Sequence, residues 1–172
     1  GLQALDHAEE SSGKKPTYAG CEHRKSIENS PEFRGALESY ERLKSSINLI
    51  DSDSLILTGT GRGFPIVHVS SGWVKMCGWS QDQVLGRSAN INQGEGTDVG
   101  TVKSMGECLA QKKSCKVRLL NYRADGSVFW NVLSVFPIFE NRKAVLFVAQ
   151  LQDDTYHLSK LVSLRPLQYF SA

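Results

Sequence analysis

The chain has 172 residues, 40% of them hydrophobic and 22% charged, and its 20 basic against 18 acidic side chains leave a formal charge of only +2. That length serves one domain with extensions. So even a charge balance provides no field for nucleic acid or an anionic lipid surface, and no apolar run approaches the roughly 18–20 residues of a membrane span.

The basic pairs Lys14-Lys15, Arg24-Lys25 and Lys112-Lys113 are short and separated, the pattern of solvated surface. Neither nucleic acid nor a membrane is therefore expected as a partner. The four cysteines, Cys21, Cys77, Cys108 and Cys115, form no C-x-x-C pair and have no histidines at zinc spacing. Free thiols in a reducing compartment follow, so a cytoplasmic or nuclear setting is expected.

Residues 1–30 are rich in Ser, Glu, Lys, Gly and His and poor in large apolar side chains. Such a stretch buries too little surface to offset its ordering entropy, and a flexible extension is expected there. A helix is predicted next, over 31–50. Ser30 is its N-cap, Pro31 suits the first turn and Glu32 suits the positive end of the dipole. Phe33, Ala36, Leu37, Tyr40, Leu43, Ile47 and Leu49 recur at helical spacing. This stripe must cover either the domain's own sheet or a second copy of the chain. Phe33, Leu37, Tyr40, Leu43 and Ile47 are the candidate interface residues.

From Leu55 the periodicity changes to that of strands. Leu55 to Thr58 and Pro65 to Val69 flank Gly59-Thr60-Gly61-Arg62-Gly63. No helix and no Gly-Lys-Ser/Thr follows that loop, so it reads as a turn and not a phosphate cradle. His68, among apolar neighbours, reads as packed or edge-exposed and not as a ligand. Two short helices follow, one closed by Gly78 and the next capped by Ser80. Asp98 or Thr97 then caps a longer helix through Val102, Met105, Cys108 and Leu109.

Three strands complete the pattern: Cys115 to Tyr122, Val128 to Phe139 and Ala144 to Gln152. Asp125-Gly126 and Asn141-Arg142 mark the turns between them. A terminal helix is predicted over 153–164, stopped by Pro166. The order gives an α+β class: a five-stranded antiparallel sheet with short helices on one face and flanking helices at both ends. The core is expected over 51–155, with a helical extension over 156–172. His7, His23, His68 and His157 are scattered, and no hydrolase, zincin or Walker pattern occurs, so no enzyme is expected. Asp153 and Asp154 are adjacent on a strand and point apart.

Between the short helices and the longer one lies Gly86-Arg87-Ser88-Ala89-Asn90-Ile91-Asn92-Gln93-Gly94. It resembles the Gly-Arg-Asn-Cys-Arg-Phe-Leu-Gln-Gly stretch of light–oxygen–voltage (LOV) domains, the flavin-binding branch of the PAS superfamily. Pro65-Ile66-Val67 with Ser70-x-Gly72-Trp73 is similar to that family's Pro-Ile-Val and Ser-x-Gly-Phe. Gly78-Trp79-Ser80 is similar to its Gly-Tyr-Ser, and Leu120-Asn121-Tyr122-Arg123-x-Asp125-Gly126 with Phe129-Trp130-Asn131 to its strand–turn–strand signature.

The resemblance implies a PAS fold and places Gln93, Asn121 and Asn131 where the family's amides bind the polar edge of a flavin ring. Amides suit such an edge because they donate and accept. Four family positions are lost. The adduct-forming cysteine is Ala89, the two phosphate-gripping arginines are Asn90 and Gly106, and the signal-relaying glutamine is Leu151. A bulge in the last strand would be needed to turn Gln150 or Gln152 into that place. Each lost charged contact is worth roughly 1.5–3 kcal/mol, so phosphate binding would weaken by orders of magnitude. Asn92 also replaces an apolar leucine.

The function expected is a non-photochemical PAS module for regulatory protein–protein contact or dimerisation, without bound FMN. The alternative is a sensor holding riboflavin or another small molecule without adduct formation. The partner implied is a second copy or another PAS/LOV domain. The plant PAS/LOV flavour of the resemblance adds GDP-galactose phosphorylase as a regulated enzyme.

Overall fold

The computed structural model describes residues 30–156. All but the last residue of the expected N-terminal extension, all but the first residue of the expected C-terminal one, and Cys21, His7, His23 and His157 lie outside those residues. Helix α1 spans Pro31–Leu43, and its Ser30 cap accepts from the Phe33 amide at 3.1 Å. It stops before the predicted residue 50. The Ser46 and Ile47 amides both turn back to the Leu43 carbonyl, at 2.8 and 3.0 Å, and close a tight turn at Lys44-Ser45-Ser46 where helix propensity is weak.

The strands are β1 (Leu55–Gly59), β2 (Ile66–Val69), β3 (Cys115–Tyr122), β4 (Val128–Glu140) and β5 (Lys143–Asp153). They form one antiparallel sheet in the order β2-β1-β5-β4-β3, so the first and last strands are neighbours. This is the expected α+β PAS architecture. Between β2 and β3 lie α2 (Ser71–Cys77), α3 (Gln81–Val84), a 3-10 turn (Ala89–Asn92) and α4 (Val99–Ala110). Asp98 caps α4 by accepting from the Thr101 amide at 2.6 Å. The β4–β5 turn puts Asn141 and Arg142 at φ 50° and 65°, the paired left-handed residues that a two-residue hairpin turn favours. β5 runs to Asp153, where the last helix is expected to begin, and the expected helix beyond residue 156 lies outside the described residues. Asp153 and Asp154 do point apart, to Arg123 at 2.5 Å and Arg118 at 3.0 Å.

Two hydrophobic layers flank the sheet. The inner one packs Trp73, Cys77, Val84, Phe129 and Phe147 between the sheet and the helices. The outer one sets Phe33 and Ala36 of α1 on Leu57, Val67 and Leu146, with Leu37, Tyr40, Leu43 and Ile47 at its margin. Of the stripe expected to cover either the chain's own sheet or a second copy, Phe33 is only 6% exposed against that sheet, while Leu37, Tyr40, Leu43 and Ile47 stay half-buried at its margin. His68 belongs to the same layer and stacks on Tyr40 at 5.1 Å. Among the described residues no helix is long and apolar enough to cross a membrane.

Candidate functional site

The inner layer is not filled. A cavity of about 310 Å³ lies between the sheet and the helices, at the small end of the roughly 300–1,000 Å³ span of ligand sites. Strand alternation supplies its floor: Ile56 and Thr58 from β1, Leu119 and Asn121 from β3, Asn131, Leu133 and Val135 from β4, and Phe147, Ala149 and Leu151 from β5. Its roof is Trp73 of α2, the segment around the 3-10 turn, and Val102, Met105, Gly106 and Leu109 of α4. Gly63 and Phe64 of the β1–β2 loop form one side. Phe64 is held at φ 49°, in the left-handed region, and its ring meets Phe147 edge-on at 5.8 Å.

All seven positions singled out by the LOV resemblance line this one cavity: Gln93, Asn121, Asn131, Ala89, Asn90, Gly106 and Leu151. The turn that carries three of them, Ala89, Asn90 and Gln93, is fixed locally. Gly86 takes φ 75°, which only glycine adopts without strain. Ser88 accepts from the Asn90 amide at 3.4 Å, and the Ala89 amide reaches the Gly63 and Phe64 carbonyls at 3.3 Å each. Gly94 is required for a different reason. A Cβ there would sit 2.6 Å from the Tyr122 ring.

Asn92 is buried, and its Nδ2 donates to the Tyr122 carbonyl at 2.9 Å. The polar residue in an apolar family position therefore staples the turn to β3. It also lies beside the Cys77 thiol, which burial pushes up to about 12. None of the residues lining the cavity is a cysteine.

The two asparagines form a diagonal cross-strand pair, since Leu119 stands opposite Asn131 and Asn121 opposite Phe129. Asn131 Nδ2 donates to Asn121 Oδ1 at 2.8 Å, and Asn121 Nδ2 to the Leu120 carbonyl at 3.1 Å. Asn131 Oδ1 is left buried with no hydrogen-bond partner. A second such atom is Trp73 Nε1, on a side chain that is 0% exposed. Trp73 is the lining residue of most consequence that the sequence reading did not assign to the site. Its signal was the tryptophan standing where the Ser-x-Gly-Phe pattern has phenylalanine. Phe64 and Phe147 had no such signal.

Leu151 stands opposite Leu133 in an unbroken stretch of ladder, and the irregularity between β4 and β5 falls at Ile138 and Phe139. No bulge therefore turns a glutamine inward. Gln150 and Gln152 are exposed and line a separate groove on the outer face with Ser52, Ser54, Val132 and Ser134.

The donor set fits part of an FMN molecule. The amides suit a ring edge, but no lining residue carries a positive charge for a phosphate. Lys112 is the cation recorded over a lining ring among the described residues, 5.6 Å from the Phe147 centroid. No group of three metal-ligating side chains occurs among the described residues.

The family model described as "PAS domain" matches residues 52–155. Two curated proteins are similar. The chain is 31% identical over 136 residues to a blue-light-activated histidine kinase of Brucella canis, covering 78% of this chain and 28% of that one. It is 34% identical over 109 residues to phototropin-2 of Oryza sativa subsp. japonica, covering 63% of this chain and 12% of that one. Two solved structures agree. The LOV domain of the EL346 blue-light-activated histidine kinase from Erythrobacter litoralis has a TM-score of 0.57 at 31% identity, over 59% of this chain and 94% of that one. The light state of the Aureochrome1 LOV photoreceptor has a TM-score of 0.59 at 30% identity, over 64% and 88%. The chain thus spans under a third of the curated relatives' length and nearly all of the LOV structures. It belongs to the PAS domain family, with the fold of a LOV domain.

Proposed function

We propose that this chain is a regulatory PAS module that works without thiol photochemistry and without FMN, passing its signal by contact with a partner domain. The observation that supports it is the cavity itself. Ala89, Asn90, Gly106 and Leu151 line it together, so the changes converge on one site instead of scattering over the surface. A flavin in this cavity would meet no thiol, because the free Cys77, Cys108 and Cys115 all lie outside the lining. The role is non-catalytic.

The contact surface in this reading is the outer sheet face that α1 leaves open. α1 packs on β1, β2 and β5. On β4, Trp130, Val132 and Phe136 alternate with the cavity-facing Asn131, Leu133 and Val135, and Phe136 is 48% exposed. A second copy or another PAS/LOV domain is the partner of matching chemistry. A regulated metabolic enzyme such as GDP-galactose phosphorylase is the further partner that the plant PAS/LOV resemblance adds.

A second reading is supported by the open volume: the cavity holds a flat phosphate-free molecule such as riboflavin, and its occupancy is what the module reports. Both readings are tested by the absorption spectrum of the purified chain, followed by denaturation to release any chromophore. The proposal expects no FMN in the released fraction. FMN at near one equivalent per chain would overturn it.

A further inference from the structure

Two half-buried thiols meet where α4 hands the chain to β3. Cys108 sits in the last turn of α4, and Cys115 is the first residue of β3. The turn between them is closed tightly. The Lys112 amide donates to the Leu109 carbonyl at 2.9 Å and the Lys113 amide to the Cys108 carbonyl at 3.2 Å, with Lys112 at φ 57°. This reversal brings the start of the strand back against the helix.

The Cys108 thiol donates to the Ser114 carbonyl at 3.3 Å. Planar peptide geometry sets that oxygen about 2.8 Å from the Cys115 Cα. The side chains themselves meet, because Cys108 is the hydrogen-bonding neighbour of Cys115. Burial first, and then that neighbour, push the Cys115 thiol up to about 11. A disulfide requires side chains that converge in this way.

Neither thiol lines the cavity, yet each adjoins it. Met105 and Leu109 of α4 belong to the roof, and Leu119 and Asn121 of β3 to the floor. Strand alternation puts Cys115 on the same face as Leu119, and it packs against the inner hydrophobic layer. A bond between the two sulfurs would fasten the last turn of the roof helix to the first residue of a floor strand.

We infer that Cys108 and Cys115 are a reversible oxidation site whose disulfide fixes the α4 end of the cavity roof to the sheet. The oxidant is a hydroperoxide, with hydrogen peroxide as the probe. Its O–O bond breaks as the Cys108 sulfur takes one oxygen and gives up its thiol proton, forming a sulfenic acid and water. The Cys115 sulfur then displaces the sulfenic hydroxyl, which leaves with the Cys115 proton as a second water while the S–S bond forms. The two sulfurs lose two electrons and the peroxide gains them. Cys115, held protonated, is the resolving partner. A dithiol reverses the step by exchange. None of this depends on what the cavity holds.

The test treats the full chain with hydrogen peroxide, then alkylates it and digests it with trypsin. Trypsin cuts after Lys112 and Lys113, so the disulfide is read as Ser104–Lys112 joined to Ser114–Lys116. The expected results are that joined pair within one chain, its loss on adding dithiothreitol, and a melting temperature about 5 °C higher in the oxidised protein. Hydrogen exchange in the last turn of α4 should slow on oxidation. Cys108→Ser and Cys115→Ser should each abolish all of these responses. Sulfinic or sulfonic acids without the joined peptides would overturn the pairing, as would a disulfide between chains or to Cys21. Unchanged exchange in α4 after the disulfide has formed would overturn its role in fixing the roof.

Discussion

Phe33→Ala distinguishes an α1 that packs on its own sheet from one that packs on another chain. Phe33 is 6% exposed and lies in one cluster with Leu57, Val67 and Leu146, which are 0%, 3% and 0% exposed. Truncating a core phenylalanine costs about 3–5 kcal/mol. The lower figure applies here, because α1 is a peripheral helix that can shift to relieve part of the void. Against a domain stability of about 5–15 kcal/mol, a loss of about 3 kcal/mol is severe. With a urea slope of about 1.5 kcal/mol/M, the midpoint falls by about 2 M.

The assay is urea unfolding followed by far-ultraviolet circular dichroism, at two protein concentrations a factor of ten apart. An intramolecular contact predicts the same drop at both. If the stripe instead joined two chains, dilution of the unsubstituted protein would itself lower the stability, by about 1.4 kcal/mol per tenfold. A Phe33→Ala protein of unchanged stability and halved mass would refute the packing described for α1.

Three other outcomes follow from the same structure. Burial against Tyr40 holds the His68 pKa below its ordinary 6.5. The unfolded chain therefore takes up the proton first; this contribution is intact above pH 6.5 and declines as the pH falls from there towards the folded pKa. His68→Phe should flatten the fall in urea midpoint below pH 6.5, and an unchanged slope would remove His68 as its source. Burial pushes the Cys77 thiol up to about 12, which keeps it in the unreactive protonated form. Iodoacetamide followed by peptide mass mapping should label it only in denaturant, and rapid native labelling would contradict its burial. Gly94→Ala forces a Cβ to within 2.6 Å of the Tyr122 ring, whose hydroxyl accepts from the Gly96 amide at 2.8 Å. A loss of about 1–3 kcal/mol is expected in urea unfolding, and a neutral result would mean the ring has room to move.

Much of this architecture could be read from residue order alone. Short apolar, alternating or β-branched runs bounded by turn residues located all five strands, and caps at Ser30, Ser80 and Asp98 or Thr97 located helix starts, because these are local signals. The cavity was legible through position. Residues as distant as Ala89, Gly106, Asn131 and Leu151 share it because they match one family's motifs in order. What α1 covers was not legible, since an amphipathic stripe shows that a face is buried and not against what. Its end was misjudged because Ile47 continues the apolar spacing beyond the turn that closes on Leu43. The unpartnered atoms of Trp73 and Asn131 were invisible for a physical reason. Hydrogen-bond satisfaction depends on which groups meet across the sheet, as in the diagonal Asn121–Asn131 bond.

The central claim, that this cavity works without a thiol, is tested most directly by blue illumination of the riboflavin-loaded chain beside its Ala89→Cys variant. The account predicts that the unsubstituted protein keeps its visible flavin bands, with no thermally reversible bleach. The variant, with a thiol placed in the lining, should bleach and recover in the dark. Reversible bleaching of the unsubstituted chain would contradict the account.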